Sequence, residues 1–284
     1  MGRVFSDLRT AEYGASGHPE APFRVRRSFE LLKAAGHAPE LPAVAAGPAD
    51  AALLHGDGHL ASIAAGTFDD PDTPAYPGIA ALALVSLSGA LSAADSALAG
   101  APAFSLMRPP GHHAGKDSVA GFCYLNNLAL AAVRLQKSKP GLKVGIVDFD
   151  VHHGNGTESL VLGREGISFA SLHQFPLYPG TGRESRENCL NVPLPEGTDG
   201  DAYLSAFEPA LERVLASKPD LLAVSAGFDA YKEDPLGGLK LDKGTFRRIG
   251  ALLAQTRLPR FSVLEGGYSE DLPRLIEAFL DGFF

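Results

Sequence analysis

Short apolar segments alternate with longer amphipathic segments along most of the chain, and this alternation predicts its secondary structure. Strands are predicted from Val144 onward and at 103–107, 167–172, 221–225 and 261–264. Helices are predicted at 22–35, 79–98, 122–135, 157–162, 201–216, 243–255 and 269–280, with one or two short helices inside 43–65, and residues 1–20 are predicted to be irregular. Strands that alternate with helices are typical of an α/β fold. We therefore predict a single domain over 1–284, with a mainly parallel central sheet and helices on both faces.

One strand changes character abruptly at its end, in the segment VGIVDFDVHHGNGT that begins at Val144. Its first residues are mostly apolar and β-branched, as a buried parallel strand requires. Asp148, Asp150 and His152 then follow at every second position, and side chains with that spacing on a strand point to one face. If these three side chains are crowded together and buried, their charges carry a free-energy cost unless they are compensated. A divalent transition metal such as zinc is the simplest compensation, because it accepts oxygen and nitrogen ligands.

Polar clusters follow several predicted strands, and sites in open α/β sheets form outside the carboxyl ends of the strands. The loops expected to converge on one crevice are 108–113, 148–157, 171–182, 226–236 and 265–268. Asp229 ends its strand in the same manner as Asp150. Asp150, His152 and Asp229 are therefore candidate ligands of a metal with one position left open, which is the pattern of a catalytic metal.

Two further features of these loops offer chemistry that a metal-dependent hydrolase needs. His112 and His113 follow Pro-Pro-Gly, and imidazole is the side chain best suited to transfer protons near neutral pH. Asp148 is expected to orient one imidazole and Asn155 the other. Tyr268 follows two glycines, and its hydroxyl could donate to a developing oxyanion.

Composition and charge narrow the function classes. Hydrophobic residues make up 45% of the 284, and the net charge of −8 argues against nonspecific nucleic-acid binding and suits cationic ligands. Cys123 and Cys189 form no CxxC pair, so neither a disulfide framework nor a cysteine zinc finger is indicated. No segment is judged long and apolar enough to span a membrane, and the N-terminus does not resemble a signal peptide. A cytoplasmic protein without a membrane partner is expected.

Six sequence blocks together resemble the histone deacetylase family, which includes the acetylpolyamine amidohydrolases and the acetoin-utilisation proteins. In family order, the blocks are RPPGHHA, GFCYLNN, DFDVHHGNGT, SLHQFPLYPGTG, SAGFDAYKEDPLGG and LEGGY. GHPEAPFR, near the start, is similar to the HPE-x-P-x-R segment of the family. The resemblance implies the arginase–deacetylase fold and a zinc-dependent amidohydrolase that removes an acyl group, expected to be acetyl, from an amine.

The resemblance also implies a role for each matching residue of the reaction centre. The implied zinc ligands are Asp150, His152 and Asp229. His113 would be the general base and then the general acid, with electrostatic assistance from His112. Asp148 would pair with His112 and Asn155 with His113, and Tyr268 would polarise the scissile carbonyl. Asn155, where other members have Asp, makes the chain look like the class II branch, as does DPLGG.

Further roles implied by the resemblance lie around this centre. The residues implied to line the acyl tunnel are Gly121, Phe122 and Tyr178. The residues implied to bind a structural potassium behind the zinc are Asp148, Asp150, His152, Ser171 and Leu172. The second potassium site of the family is not recognisable at 161–167, so it is not assigned.

The substrate is the less determined part of this hypothesis. Leu236 lies in the family loop that borders the mouth of the site, where polyamine-specific members of the eukaryotic type carry Glu. Leucine cannot hold a secondary ammonium by a charge-assisted contact, so an acyl-lysine peptide or protein is favoured over acetylpolyamines or another small acylated amine. Asp69, Asp70 or Asp72 in the rim loop could substitute for that missing acid.

Two more distant functions are weighed against deacylation. An arginase-like ureohydrolase with two manganese ions would need further acidic ligands around a second metal, and the paired histidines with Tyr268 suit deacylation better. A catalytically inactive binding module of the same fold should have lost a ligand, the base or the tyrosine, and none is missing. The sequence does not determine the oligomeric state.

Overall fold

Strands and helices alternate along the chain in the computed structural model, which describes residues 2–284. The strands are β1 (Arg3–Phe5), β2 (Ala103–Ser105), β3 (Val144–Asp148), β4 (Ile167–Gln174), β5 (Cys189–Leu194), β6 (Leu221–Ala226) and β7 (Arg260–Leu264). The helices are α1 (Phe23–Ala34), α2 (Pro48–Ala51), α3 (His59–Ala65), α4 (Ile79–Leu98), α5 (Asn127–Ser138), α6 (Asn155–Val161), α7 (Gly200–Leu215), α8 (Lys243–Gln255) and α9 (Leu272–Phe283). A short 3₁₀ turn, Leu8–Ala11, follows β1.

The seven strands form one sheet with the order β1-β2-β7-β6-β3-β4-β5, and every neighbouring pair is parallel. In register, Asp148 of β3 lies between Ser171 of β4 and Ser225 of β6. The chain extends the sheet to one side of β3 through β4 and β5, and then returns to its other side with β6. Such a reversal opens a crevice at the carboxyl ends of the two strands.

Each face of the sheet buries its own apolar core. Alternate strand residues point to opposite faces, so Val147 and Val224 join the core that includes residues of α1, α7, α8 and α9. Ile146 and Ala223 join the core formed with α4 and α5. Because both faces are covered, the strands carry nearly continuous apolar runs. The predicted α/β class, with a parallel sheet between two helical layers, is confirmed.

Helix α5 begins five residues later than the sequence pattern predicts. Phe122, the predicted start, has φ of 70°, which lies in the left-handed region and is incompatible with an α-helix. The helix begins at Asn127 instead, because the side chain of Asn126 accepts a hydrogen bond from the backbone N–H of Ala129 and caps it. The predicted helical segment 122–126 is therefore an irregular loop, and it faces the crevice.

Two strands at the edges of the sheet are not predicted from the sequence. The segment 1–20 is predicted to be irregular, yet β1 lies in it and pairs with β2 over three residues. β5 pairs with β4, and three of its six residues are half-buried or exposed, as expected for a strand with one neighbour. Short edge strands carry too few buried positions to give a clear hydrophobic period.

Helix α4 is long and apolar enough to cross a membrane, by length and composition alone. The expectation that no segment has this apolar length is therefore wrong by that criterion. In the folded chain 67% of its most apolar window is buried, and Leu87 and Leu91 lie in one of the two cores. Burial against the sheet accounts for its apolar composition.

Candidate active site

The carboxyl ends of β3 and β6 bring Asp150, His152 and Asp229 together. One ligand atom from each lies within 4.8 Å of the others, so the three could hold a metal ion. Nδ1 of His152 lies 3.1 Å from Oδ1 of Asp150 and 3.2 Å from Oδ2 of Asp229. Both carboxylates are fully buried, while 11% of the His152 side chain is exposed. The exposed imidazole edge shows that this group opens towards a cavity.

Hydrogen bonds from the backbone, and not a continuing strand, shape the segment after β3. The strand ends at Asp148, so the predicted alternation on one strand face stops there. Oδ1 of Asp148 accepts from the N–H of Asp150, and Oδ1 of Asp150 accepts from the N–H of His152. Oδ1 of Asp229 accepts from the N–H of Val151, which joins the two strand ends. The predicted side chains converge, but by a different local geometry.

The charges of Asp150, His152 and Asp229 favour the binding of a cation. Burial and the neighbouring carboxylate of Asp150 raise the pKa of Asp229 to about 7. Oδ2 of Asp229 is buried, and apart from the approach of His152 Nδ1 to 3.2 Å it has no hydrogen-bond partner among the described residues. Two buried carboxylates beside one imidazole leave negative charge that a divalent metal with oxygen and nitrogen ligands would compensate.

His112 and His113 lie beside this group with their rings in contact, at 4.0 Å between centroids. Nδ1 of His112 lies 3.0 Å from Oδ2 of Asp148, and Nδ1 of His113 lies 2.7 Å from Oδ1 of Asn155. An oxygen acceptor at Nδ1 means that Nδ1 carries the proton, so Nε2 of a neutral ring is left free. The pairing that the sequence predicts for Asp148 and Asn155 is therefore the pairing that the structure contains.

The two imidazoles have opposite electrostatic surroundings. Burial lowers the pKa of His113 well below its usual value, and the neighbouring His112 and His152 lower it further. Burial also disfavours the charged form of His112, but the carboxylates of Asp150 and Asp148 outweigh that effect and raise its pKa well above the usual value. The pKa values of the two rings are thus shifted in opposite directions, although the residues are adjacent in the chain.

A cavity of about 420 Å³ leads from the surface to His113 and His152. The predicted tunnel and mouth residues Gly121, Phe122, Tyr178 and Leu236 all line it, as do Tyr268, His18, Pro19, Pro71, Asp72 and Leu177. At Gly121 φ is +52°, and a Cβ would overlap the ring of His113. Glycine is therefore required here both by the backbone and by the space that leads to the histidine.

Tyr268 reaches the cavity from the turn after β7. Its ring makes an edge contact with Phe122, with 5.8 Å between the ring centroids. The guanidinium of Arg24, fully buried, lies 4.8 Å from the centre of the same ring. These two contacts limit the directions in which its hydroxyl can point.

Comparison with known proteins agrees with this geometry. The sequence profile described as "Histone deacetylase domain" matches residues 18–283. The chain belongs to the histone deacetylase family. The family match spans the paired histidines, the three candidate ligands and Tyr268, so the sequence resemblance is confirmed over nearly the whole chain.

Individual members of the histone deacetylase family cover much of the chain. A probable deacetylase of Methanothermobacter thermautotrophicus is 37% identical, over 94% of this chain and 86% of its own length. A histone deacetylase-like amidohydrolase of Pseudomonas aeruginosa is also 37% identical, over 90% and 74%. The crystal structure of an acetylpolyamine aminohydrolase from Burkholderia pseudomallei superimposes with a TM-score of 0.91 at 27% identity, covering 100% of this chain and 98% of that one. The predicted enzyme class, a deacetylase-type hydrolase, is confirmed.

Three buried acidic residues around the site were not identified from the sequence. Glu20 accepts hydrogen bonds from Arg24 and Arg108, and all three side chains are buried. Glu265 accepts from the N–H groups of Gly111 and His112, at 2.7 and 3.1 Å. Their positions inside the recognised family blocks were the available signal, but nothing in the local pattern distinguishes a buried carboxylate from a solvated one.

The third of these residues is Asp234, whose carboxylate is also buried. It accepts from the backbone N–H groups of Leu236, Tyr268 and Ser269. It lies in the DPLGG block, two residues before Leu236.

Proposed function

We propose that this chain is a zinc-dependent deacylase that hydrolyses the amide bond of an N-acetylated amine on a slender aliphatic chain. The observation that carries the proposal is the cavity of about 420 Å³, whose lining includes His113, His152 and Tyr268. A base, a metal ligand and a hydroxyl donor thus face one volume, which is the arrangement that metal-assisted amide hydrolysis needs.

In this proposal Asp150, His152 and Asp229 hold zinc. Their mixed oxygen and nitrogen donors and the buried Oδ2 of Asp229 support zinc as the metal. When bound, zinc would supply Lewis-acid polarisation and the activation of water.

His113 is proposed as the general base and then the general acid. Its Nδ1 is engaged by Asn155, so Nε2 is the atom that accepts the proton of the attacking water and returns it to the leaving amine. His112 is proposed not to exchange this proton, because its Nδ1 is engaged by the buried carboxylate of Asp148. It assists by stabilising negative charge at the reacting centre.

Tyr268 is proposed to donate its phenolic O–H to the carbonyl oxygen as that atom becomes negative. The contacts of its ring with Phe122 and Arg24 support this role, because they restrict the ring before substrate enters. Gly121, Phe122 and Tyr178 are proposed to enclose the acyl chain and its aliphatic stem.

The first candidate substrate is an acyl-lysine peptide or protein. Leu236 lines the mouth of the cavity and offers apolar surface where a charged amine would need a partner. A lysine substrate continues as a neutral peptide backbone at that depth, so an apolar wall is compatible with it.

The second candidate is an N-acetylated polyamine, and Asp72 is the observation that favours it. Asp72 also lines the cavity, and its backbone oxygen lies 3.3 Å from Nε2 of His18. The next residue, Thr73, accepts a hydrogen bond from the N–H of Phe122, which fixes this rim loop against the tunnel wall. A carboxylate held there could bind a distal ammonium, and the acetylpolyamine aminohydrolase with the similar structure supports this alternative.

The ratio of kcat/KM for an acetyl-lysine peptide to that for N8-acetylspermidine tests the choice. We expect the wild type to favour the peptide, and Leu236→Glu to shift the ratio towards the polyamine by about tenfold, as one charge-assisted contact provides. Leu41→Glu, which adds the same charge at a position that is 69% exposed and outside the cavity lining, is the matched control and should leave the ratio unchanged. A tenfold wild-type preference for the polyamine would contradict the Leu236 argument, and its loss in Asp72→Asn would assign ammonium recognition to Asp72.

A structural potassium behind the metal group stays a prediction, with Asp148, Asp150, His152, Ser171 and Leu172 as its ligands. The register that places Asp148 beside Ser171 supports it. The cytoplasmic location likewise stays a prediction.

A further inference from the structure

One buried carboxylate connects the mouth of the cavity to the turn that carries Tyr268. Asp234 follows Asp229 by five residues and is 7% exposed. Its Oδ1 accepts a hydrogen bond of 3.0 Å from the backbone N–H of Leu236. Its Oδ2 accepts bonds of 2.7 and 3.2 Å from the N–H groups of Tyr268 and Ser269.

The partners of this carboxylate are backbone amides and not a cation. All of its hydrogen-bond partners among the described residues are backbone N–H groups, and the guanidinium of Arg24 acts on it only at longer range. A buried carboxylate is costly, and its hydrogen bonds offset part of that cost. One donor comes from its own loop and two come from the turn after β7, 34 and 35 residues further along the chain.

Tyr268 depends on this contact for the position of its backbone. Arg24 binds the carbonyl oxygen of Gly267 at 2.7 Å, and Asp234 binds the amide on the other side of the same peptide unit. That peptide is therefore held at both its acceptor and its donor. The phenol hydroxyl lies at the end of a long side chain, so a small rotation of this peptide is amplified at the oxygen.

We propose that Asp234 is a positioning residue that fixes the hydroxyl of Tyr268. It makes the position of this hydroxyl depend on the loop that contains Leu236. The inference rests on the proposed role of Tyr268 in deacylation. A substrate that displaces the Leu236 loop acts on the same carboxylate that holds Tyr268, so occupation of the mouth and alignment of the hydroxyl are coupled through one side chain.

The experiment combines hydrogen exchange with a double-mutant cycle on the zinc-loaded protein. Asp234→Asn keeps the size of the side chain but turns one acceptor into a donor, which must face at least one of the three N–H groups. We expect exchange in the peptide 265–270 to be about tenfold faster than in the wild type, as for lost amide protection. We expect kcat to fall about tenfold or more, as small misplacements of reacting groups do.

The cycle distinguishes positioning from general destabilisation. In a Tyr268→Phe background there is no hydroxyl to position, so Asp234→Asn should lower the residual kcat by less than about threefold. The matched control is Asp242→Asn, since Asp242 accepts from the backbone N–H of Thr245 at the start of α8, away from the cavity. This control should lower the melting temperature without changing kcat or exchange at 265–270.

Two results would overturn the inference: unchanged exchange at 265–270 in Asp234→Asn, or an equal loss of kcat with and without the Tyr268 hydroxyl. A wild type that hydrolyses no acylated amine would refute the proposed function and with it the catalytic half of this inference. Hydrogen exchange at 265–270 would still show whether Asp234 stabilises the turn that carries Tyr268.

Discussion

Removal of the Tyr268 hydroxyl is the single change that best separates an effect on catalysis from an effect on folding. Tyr268→Phe keeps the ring and its contacts with Phe122 and Arg24, so metal content and stability should not change. Loss of one oxyanion donor lowers kcat by about 10²–10³-fold in comparable enzymes. Steady-state kinetics on an acetylated amine, with metal analysis of the same sample, measures both quantities.

Phe122→Leu provides a comparison for that variant, because it alters the packing beside the Tyr268 ring but leaves the hydroxyl in place. It should lower kcat, but by less than Tyr268→Phe does, because the hydroxyl is less restrained but not removed. Near-normal kcat in Tyr268→Phe would remove this hydroxyl from the mechanism.

Single residues also show where prediction from sequence succeeds and where it stops. Asp150, His152 and Asp229 could be found because charged residues directly after buried strands are unusual. Asp234 and Glu265 could not, because their partners are backbone amides of distant loops, and those pairings exist only after folding.

At the scale of the helices and strands, a buried charge cluster connects the segment before α1 to the loop after β2. Glu20 accepts from Arg24 and Arg108, and neither its side chain nor theirs is exposed by more than 2%. Burial raises the pKa of Glu20, but the two guanidinium groups outweigh it, and the pKa is lowered overall. The cluster therefore connects the N-terminal segment to the loop that carries the paired histidines.

Glu20→Gln should destabilise the fold by about 3–5 kcal/mol at pH 7, because it leaves two buried guanidinium groups without their carboxylate. A carboxyl group whose pKa is lower in the folded state stabilises the protein above its unfolded pKa, about 4.3, and that contribution is lost as pH falls through the folded value. The difference between wild type and variant should therefore shrink below about pH 4. Urea denaturation at both pH values measures it.

Glu40→Gln is the matched control for this prediction. Glu40 also binds an arginine through two hydrogen bonds, but 45% of its side chain is exposed. Exposed ion pairs contribute about 0–1 kcal/mol. Equal losses of stability in the two variants would show that burial of the Glu20 cluster has no special effect.

The elements were predictable in proportion to their length and burial. α4 and α8 have the predicted bounds, since both show long periodic patterns with clear ends. The start of α5 was misplaced because the apolar residues before Asn126 line the cavity or fill the core from an irregular loop and not from a helix face: Phe122 lines the cavity, and Tyr124 and Leu125 lie in the core. The strands β1 and β5 were missed because each lies at an edge of the sheet.

At the scale of the whole molecule, the parallel sheet places the carboxyl ends of β3 and β6 side by side, and the proposed metal site depends on that adjacency. Asp150 and His152 come from one strand end and Asp229 from the other. Asp148, the last residue of β3, is engaged by His112 and by the N–H of Asp150. One divalent metal per chain is therefore expected, and a ureohydrolase with two manganese ions is disfavoured.

The central claim is that one zinc ion held by Asp150, His152 and Asp229 makes the chain an amide hydrolase. The most direct measurement is the rate of acetate release from an acetylated amine as chelator-stripped protein is titrated with zinc. Activity should be absent at the start and saturate at about one equivalent per chain, and folded Asp229→Ala should neither bind zinc tightly nor gain activity. Full activity without metal, or a requirement for two equivalents, would contradict the account.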